Sequence, residues 1–211
     1  MASKEDIRAG HRAGRGALTP AALSGAGAGI ARHGLAWASR LTGGHPGTFA
    51  AYLGVGSEPP TLPLLTALHE AGHRVLLPVC EPDLGLSWVY WTPASESVRS
   101  RYAPIQEPAG ERHGTAVMLH AHGIFLPATA VDFSGNRIGQ GGGYYDKFLA
   151  ALAALLPPRA ETSDGGLPPL PTAAVVFDSE VLPAGSIPAE SFDRKVAAAL
   201  TPGGLLLLQS S

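Results

Sequence analysis

The run TFAAYLGVGSEPPTLPLLTALHEAGHRVLLPV, residues 48–79, holds one helical signal between two strand signals. Residues 48–55 are almost wholly apolar and read as a buried strand, closed by the turn Gly56-Ser57-Glu58-Pro59-Pro60-Thr61. Thr61 is of a type that caps a helix, and the helix predicted over 62–71 would turn Leu64, Leu65 and Leu68 towards a sheet. Residues 74–79 give the second strand. Strand, helix and strand in that order form a right-handed parallel crossover, so the fold class is α/β with a mostly parallel central sheet. A Pro- and Gly-rich turn just beyond such a strand is also a usual place for a binding site.

Upstream, Ser3 is the predicted N-cap of a helix over 3–18 with Glu5 and Asp6 in its first turn. Lys4, Arg8, Arg12 and Arg15 recur at helical spacing and share one face, which by itself predicts a solvated stripe. A second helix runs from Pro20 towards Arg40, its start weakened by the glycines of 25–29. Downstream, residues 86–92 are an aromatic strand, and Pro104 and Pro108 stiffen an irregular arm. Strand signals at 115–119 and 124–127 follow, with His120 and His122 predicted on one strand face near His113. Two such histidines without a third ligand at zinc spacing make a metal site the minority reading. A helix over 144–156, a Pro-rich solvent loop over 157–171, and strands over 172–177 and 205–208 complete the chain. With no internal repeat and no linker, residues 1–211 read as a single domain.

Composition narrows the function. The 211 residues carry a net charge of −2, which gives no overall reason to bind nucleic acid or a membrane surface. The N-terminus lacks the apolar core of a signal peptide and no apolar run is long enough to span a bilayer, so the expected location is the cytoplasm. The single Cys80, between prolines, reads as a structural thiol in a reducing compartment.

The chemistry concentrates in DFSGNRIGQGGGYYDK, residues 132–147. Gly139, Gly141, Gly142 and Gly143 let a ligand approach main-chain N–H groups with no Cβ in the way, and the loop opens directly into a helix N-terminus. That is an anion site. Arg137 enters it as a fixed positive charge and Asp146 leaves it as a carboxylate able to meet a metal. The loop matches neither of two common phosphate fingerprints: Tyr144 replaces the third glycine of GxGxxG, and no Gly-Lys-Ser or Gly-Lys-Thr follows.

Read as a unit, Gly-Asn-Arg-Ile-Gly-Gln-Gly-Gly-Gly-Tyr-Tyr-Asp over 135–146 resembles the signature of the 5-formyltetrahydrofolate cyclo-ligase (methenyltetrahydrofolate synthetase) family. The resemblance extends along the chain: Lys4 to Arg8 is similar to the family's Lys-x-x-x-Arg, Tyr52-Leu53 through Thr61 to its folate segment, 105–108 to its Ile-x-Glu-Pro arm, and Pro188 to Asp193 to its closing Pro-x-x-x-x-Asp. His122 departs from the usual Asp, Ala197 from a second acidic residue, and the 157–171 loop is longer than usual. The resemblance implies a three-layer α/β/α domain, MgATP as cosubstrate, and conversion of 5-formyltetrahydrofolate to 5,10-methenyltetrahydrofolate with release of ADP and phosphate. It gives ATP to Lys4, Arg8, Arg137, Ile138, Gly139, Gln140, Gly141, Gly142, Gly143, Tyr144 and Tyr145. It gives the folate to Leu53, Glu58, Gln140, Gly141, Gly142, Gly143 and Tyr144, the catalytic roles to Arg137 and Tyr144, and magnesium to Asp146 and Asp193.

The chemistry is consistent with that set. A formyl oxygen leaves readily only as a phosphate ester, and phosphoryl transfer asks mainly for positioning and cations. Magnesium asks for oxygen ligands, commonly one or two carboxylates beside phosphates and water. Two rivals remain on the sequence alone, a catalytically silent folate- or nucleotide-binding module and a sugar-phosphate isomerase-like enzyme; ATP dependence separates them. A monomer is expected.

Overall fold

The computed structural model describes residues 3–155, 170–190 and 193–208. In chain order the helices are α1 (Lys4–Gly16), α2 (Pro20–Thr42), α3 (Leu62–Glu70) and α4 (Tyr144–Leu155). The strands are β1 (Thr48–Ala50), β2 (Arg74–Cys80), β3 (Leu86–Trp91), β4 (Ser97–Arg99), β5 (Gln106–Pro108), β6 (Gly123–Pro127), β7 (Ala130–Asp132), β8 (Arg137–Ile138), β9 (Thr172–Val175), β10 (Val181–Leu182), β11 (Ala198–Thr201) and β12 (Gly204–Leu207).

A seven-stranded sheet runs in the order β12-β11-β9-β6-β1-β2-β3. Its five inner strands are parallel, and β12 and β3 pair antiparallel at the two edges. The predicted crossover of β1, α3 and β2 is present. Alternation along the strands separates two apolar layers, as a period of two requires. Phe49, Val75, Phe125 and Ala173 face α2 and α3, meeting Trp37, Leu64, Leu65 and Leu68. Ala50, Leu76, Ile124 and Ala174 face the other way, onto Met118, Phe148, Leu149 and Leu152. The arrangement is α/β/α in three layers.

Local chemistry explains where expectation and structure part. Residues 25–29 are helical within α2, and Gly29 and Gly34 are points of close approach. A Cβ at Gly29 would lie 2.4 Å from the Pro202 carbonyl oxygen and one at Gly34 2.6 Å from Leu64. Thr19 caps the helix by accepting from the Ala22 N–H, Pro20 sits in the first turn, and Gly43 closes it in the left-handed region. The first strand ends at Ala50 rather than 55. The chain folds back beyond it, and the Thr61 hydroxyl donates to the Tyr52 carbonyl (2.6 Å) while accepting from the Gly54 N–H (2.8 Å). With its oxygen occupied there, Thr61 makes no side-chain cap on α3, contrary to expectation.

Residues 115–120 are a 3-10 helix, not a strand. An apolar triplet such as Val117-Met118-Leu119 suits either form, and one helical turn sends Met118 into the core while His120 stays exposed. His122 instead uses Nδ1 to accept the Thr48 N–H at 3.2 Å. That is a task an Asp carboxylate can also perform. The histidines therefore share no strand face, and among the described residues no group of three or more His, Cys, Asp or Glu could hold a metal ion. Strand β11 was not foreseen, since Ala-Ala-Leu-Thr carries little strand signal. The last strand is shifted by one residue from the predicted 205–208. Leu156 and residues 157–169 of the predicted solvent loop, with Ser191 and Phe192 of the closing motif, lie outside the described residues.

Candidate functional site

A cavity of about 420 Å³ opens at the carboxyl ends of β1, β2 and β6, where a parallel sheet usually places its ligand. Tyr52, Leu53 and Glu58 come from the loop after β1, Pro78 and Cys80 from β2, and Pro127 from β6. Lys4 and Arg8 reach it from α1, Arg137 to Asp146 supply the glycine loop, Glu190 and Asp193 close one side, and the β4–β5 hairpin covers another. All residues assigned from the resemblance to ATP, folate and magnesium line this one space.

The loop is held from below. Asp132 is fully buried and accepts from the backbone N–H groups of Ser134 (3.0 Å), Asn136 (3.0 Å) and Ile187 (3.2 Å) and from the Asn136 side chain (3.0 Å). Gly135, at φ +82°, makes the turn, and a Cβ there would lie 2.9 Å from the Val196 carbonyl oxygen. Gly141 (φ +97°) and Gly143 (φ +76°) lie in the left-handed region on the cavity side, so the N–H cradle depends on residues without a Cβ.

The expected cationic stripe divides. Lys4 and Arg8 face the cavity, whereas Arg12 is exposed and reaches only Glu5 at 3.6 Å. Arg15 is buried in a bidentate pair with Glu180, at 2.6 and 2.8 Å, and donates to the Ala128 carbonyl at 2.8 Å. Burial alone would depress the Arg15 guanidinium; Glu180 outweighs it and leaves it raised. Lys4 Nζ lies 2.7 Å from Asp193 and 3.2 Å from Glu190, and these contacts likewise prevail over its desolvation and raise it. Arg8 Nε donates to the Gly139 carbonyl at 2.9 Å, which ties α1 to the glycine loop.

Arg137 is buried and donates to the Asp146 carboxylate and, at 3.3 Å, to the Pro127 carbonyl, while its Nε has no hydrogen-bond partner among the described residues. Desolvation depresses it despite Asp146 and Asp193, whose charges both act on it. Asp146 and Asp193 are thus not two bare, mutually repelling carboxylates: each already holds a cation. Across the cavity, Glu58 accepts from the Val55 N–H at 3.1 Å and from Gln140 at 3.3 Å. Its carboxyl is raised by burial, which those two donors and Arg15 only partly offset. Tyr144 donates to the Tyr102 carbonyl at 3.3 Å, joining the glycine loop to the hairpin, and the buried Tyr145 hydroxyl has no hydrogen-bond partner among the described residues.

Three cavity residues received no role from the sequence. Tyr52, whose buried hydroxyl has no hydrogen-bond partner among the described residues, lies in the segment likened to the family's folate segment but was given no role of its own. Glu107 is buried and accepts the Cys80 N–H at 2.7 Å. Its position between prolines on an extended arm was the available signal. Cys80 itself is a buried free thiol, pushed up to about 12 by burial and by Glu107.

One cavity thus gathers the backbone of the glycine loop, the cations Lys4, Arg8 and Arg137, the acceptor Glu58, and the carboxylates Asp146 and Asp193. The model of the 5-formyltetrahydrofolate cyclo-ligase family matches residues 1–202. The 5-formyltetrahydrofolate cyclo-ligase of Mycolicibacterium smegmatis is 37% identical over 160 residues, covering 74% of this chain and 73% of that protein. Two solved structures share the fold. The 5,10-methenyltetrahydrofolate synthetase of Mycoplasma pneumoniae superposes with TM-score 0.67 at 14% identity, covering 95% of this chain and 99% of that one. That of Aquifex aeolicus gives TM-score 0.68 at 20% identity, covering 99% and 94%.

Proposed function

The chain belongs to the 5-formyltetrahydrofolate cyclo-ligase family, and we propose that its cavity binds ATP and 5-formyltetrahydrofolate together and closes the folate ring by phosphoryl activation of the formyl oxygen. Its activity is the family's, a ligase forming 5,10-methenyltetrahydrofolate. The observation that carries the two-ligand reading is the Gln140–Glu58 contact, because it joins the anion-binding loop to the folate side of one cavity.

The nucleotide phosphates lie against the N–H groups of Gly139 to Gly143, with Lys4 and Arg8 as cations and Ile138, Tyr144 and Tyr145 as flanking walls. The pterin packs beside Leu53, and Glu58 accepts its N–H groups. Burial that raises the Glu58 carboxyl strengthens its hydrogen bonds once water is excluded. The formyl oxygen attacks the terminal phosphorus, forming an O–P bond as the bond to the ADP oxygen breaks. N10 then bonds to the former formyl carbon and loses its proton, and the carbon–oxygen bond breaks with phosphate as the leaving group. Arg137, desolvated and anchored by Asp146, is a preorganised cation for the transferring phosphoryl group. Tyr144 holds the glycine loop against the hairpin while this happens.

Asp146 and Asp193 offer the hard oxygen donors that magnesium takes. They stand on the wall beside the proposed phosphates, so the donor set fits. Bound there, the ion supplies neutralisation of nucleotide charge. Among the described residues no helix is long and apolar enough to cross a membrane. We place the protein in the cytoplasm as a monomer, acting without nucleic acid.

The mechanism is tested by following the formyl oxygen. With 5-formyltetrahydrofolate labelled at that atom by oxygen-18, the label should appear in the released phosphate. Label released into water, or phosphate released without label, contradicts phosphoryl activation.

A further inference from the structure

The turn that joins β2 to β3, Pro82-Asp83-Leu84-Gly85, is closed by the Gly85 N–H, which donates to the Pro82 carbonyl at 3.1 Å. Its two central residues both lie in the left-handed region, Asp83 at φ +57° and Leu84 at φ +60°, and among the described residues they are the only two besides glycines to do so. A turn of this kind follows the twist of an antiparallel pair, and Asn-Gly or Asp-Gly usually occupies it. Asp83 tolerates the conformation through its short polar side chain, whereas a bulky leucine is strained there.

Burial does not offset that strain. Leu84 is 45% exposed, so much of its apolar surface stays in water. The turn is firmly held all the same: the Glu81 N–H donates to the Gly85 carbonyl at 2.9 Å, and the Glu81 carboxylate accepts from Ser87 and Arg112, each at 2.7 Å. A strained residue fixed so closely, with so little burial in return, points to a task outside its own turn.

That task is visible on the neighbouring loop. A Cβ at Gly143 would lie 3.3 Å from Leu84 Cδ1, so the leucine rests against the last glycine of the cavity loop. Lys147, in the first turn of α4, donates to the Asp83 carbonyl and ties the same two segments together. At Gly141 the neighbour is Arg8, whose guanidinium carbon would be 3.8 Å from a Cβ placed there. Arg8 lines the cavity and Leu84 does not, so the loop is flanked by a cation on the ligand side and by an apolar side chain on the outside. A glycine backbone loses more freedom on being fixed than any other, and its N–H groups are preorganised only as far as neighbours hold them.

We propose that Leu84 is a positioning residue for the nucleotide: kept in the left-handed region at a cost to stability, it presses on Gly143 and holds the N–H groups of residues 139–143 in their ligand-binding arrangement. This rests on the reading of that loop as the phosphate site.

The test is Leu84→Gly in the full chain, which relieves the backbone and removes the contact together. Two readouts should then part. The ligand-free melting temperature should rise by about 2–4 °C, while the dissociation constant for MgATP, by calorimetry, and the KM for ATP should both rise about fivefold or more, with the KM for 5-formyltetrahydrofolate unchanged. Leu84→Asn, which also tolerates positive φ, should behave in the same way. Leu84→Met keeps an apolar side chain over Gly143 and should match the wild type in both readouts. Unchanged ATP affinity in the Gly and Asn variants overturns the proposal. So does a lower melting temperature in both, which would make Leu84 an ordinary packing residue, or an equal rise in the folate KM. A wild type that binds no ATP is a distinct failure, of the reading of the main cavity, and this inference falls with it.

Discussion

Replacing Arg15 by Met should destabilise the protein by about 3–5 kcal/mol, the cost of leaving one member of a buried ion pair uncompensated. Both side chains are 2% exposed. The guanidinium makes two bonds to Glu180 and one to Ala128, and after its loss the carboxylate would keep only the Phe177 N–H at 2.9 Å. Met fills much of the space, so the loss is mainly electrostatic. Against a typical total of about 5–15 kcal/mol it is large. Glu180→Leu alone should cost a similar amount, and the double variant Arg15→Met/Glu180→Leu should recover more than half of the summed loss, since apolar replacement of a buried pair is often neutral. Function should register the same change. The pair holds the end of α1, and Ile7 packs α1 against Ala130, Ile138 and Ile187, so releasing it disorders the approach of Lys4 and Arg8 and raises the KM for ATP before that for folate. Urea denaturation of both singles and the double measures the energies. Single losses below about 1 kcal/mol, or strictly additive ones, refute the reasoning.

Asp146→Asn should lower the melting temperature of the metal-free protein, by about 1–2 kcal/mol in stability, because Arg137 is 3% exposed and its partner 39%; unchanged or increased stability would restore the picture of two repelling carboxylates. The same variant should need more magnesium at saturating ATP and folate, as should Asp193→Asn. Burial raises the Glu58 carboxyl above 4.5, so the folded protein holds that proton more tightly than the unfolded chain, and stability falls as pH rises from the unfolded value through the folded one. Melts of Glu58→Gln against wild type should therefore nearly coincide at about pH 4 and favour the variant by about pH 7, and a gap independent of pH would contradict the burial assigned to Glu58. With Cys80 pushed up to about 12, its alkylation at about pH 8 should be roughly a thousandfold slower in the native protein than in urea, and comparable rates would show that the thiol is not buried beside Glu107.

What could be read from residues alone was whatever a short window determines. The strand, helix and strand of 48–79 gave the parallel crossover because periodicity and turn chemistry agree there, and 135–146 gave the loop because its glycines have few other uses. Long-range partners stayed hidden. Nothing in the spacing of Lys4, Arg8, Arg12 and Arg15 separates the two that reach the cavity from the one that pairs with Glu180, since that depends on what packs over each turn of α1. Thr61 has a capping residue's chemistry, yet its oxygen accepts the Gly54 N–H of the loop after β1. Tyr52 and Glu107 fell within segments likened to the family yet received no role of their own for the same reason: a hydroxyl in an apolar run and a carboxylate between prolines reveal their surroundings only once the sheet has brought β1, β2 and the hairpin together.

The central claim, that ATP drives closure of the folate ring in this cavity, is tested most directly by the near-ultraviolet absorbance of 5,10-methenyltetrahydrofolate. Purified protein mixed with 5-formyltetrahydrofolate should generate that band when magnesium and ATP are both present and not when ATP is left out. The same mixture made with Arg137→Gln should produce it far more slowly, although that variant is folded by its melt. Formation of the methenyl band without ATP, or none with magnesium and ATP supplied to folded wild-type protein, would contradict the account.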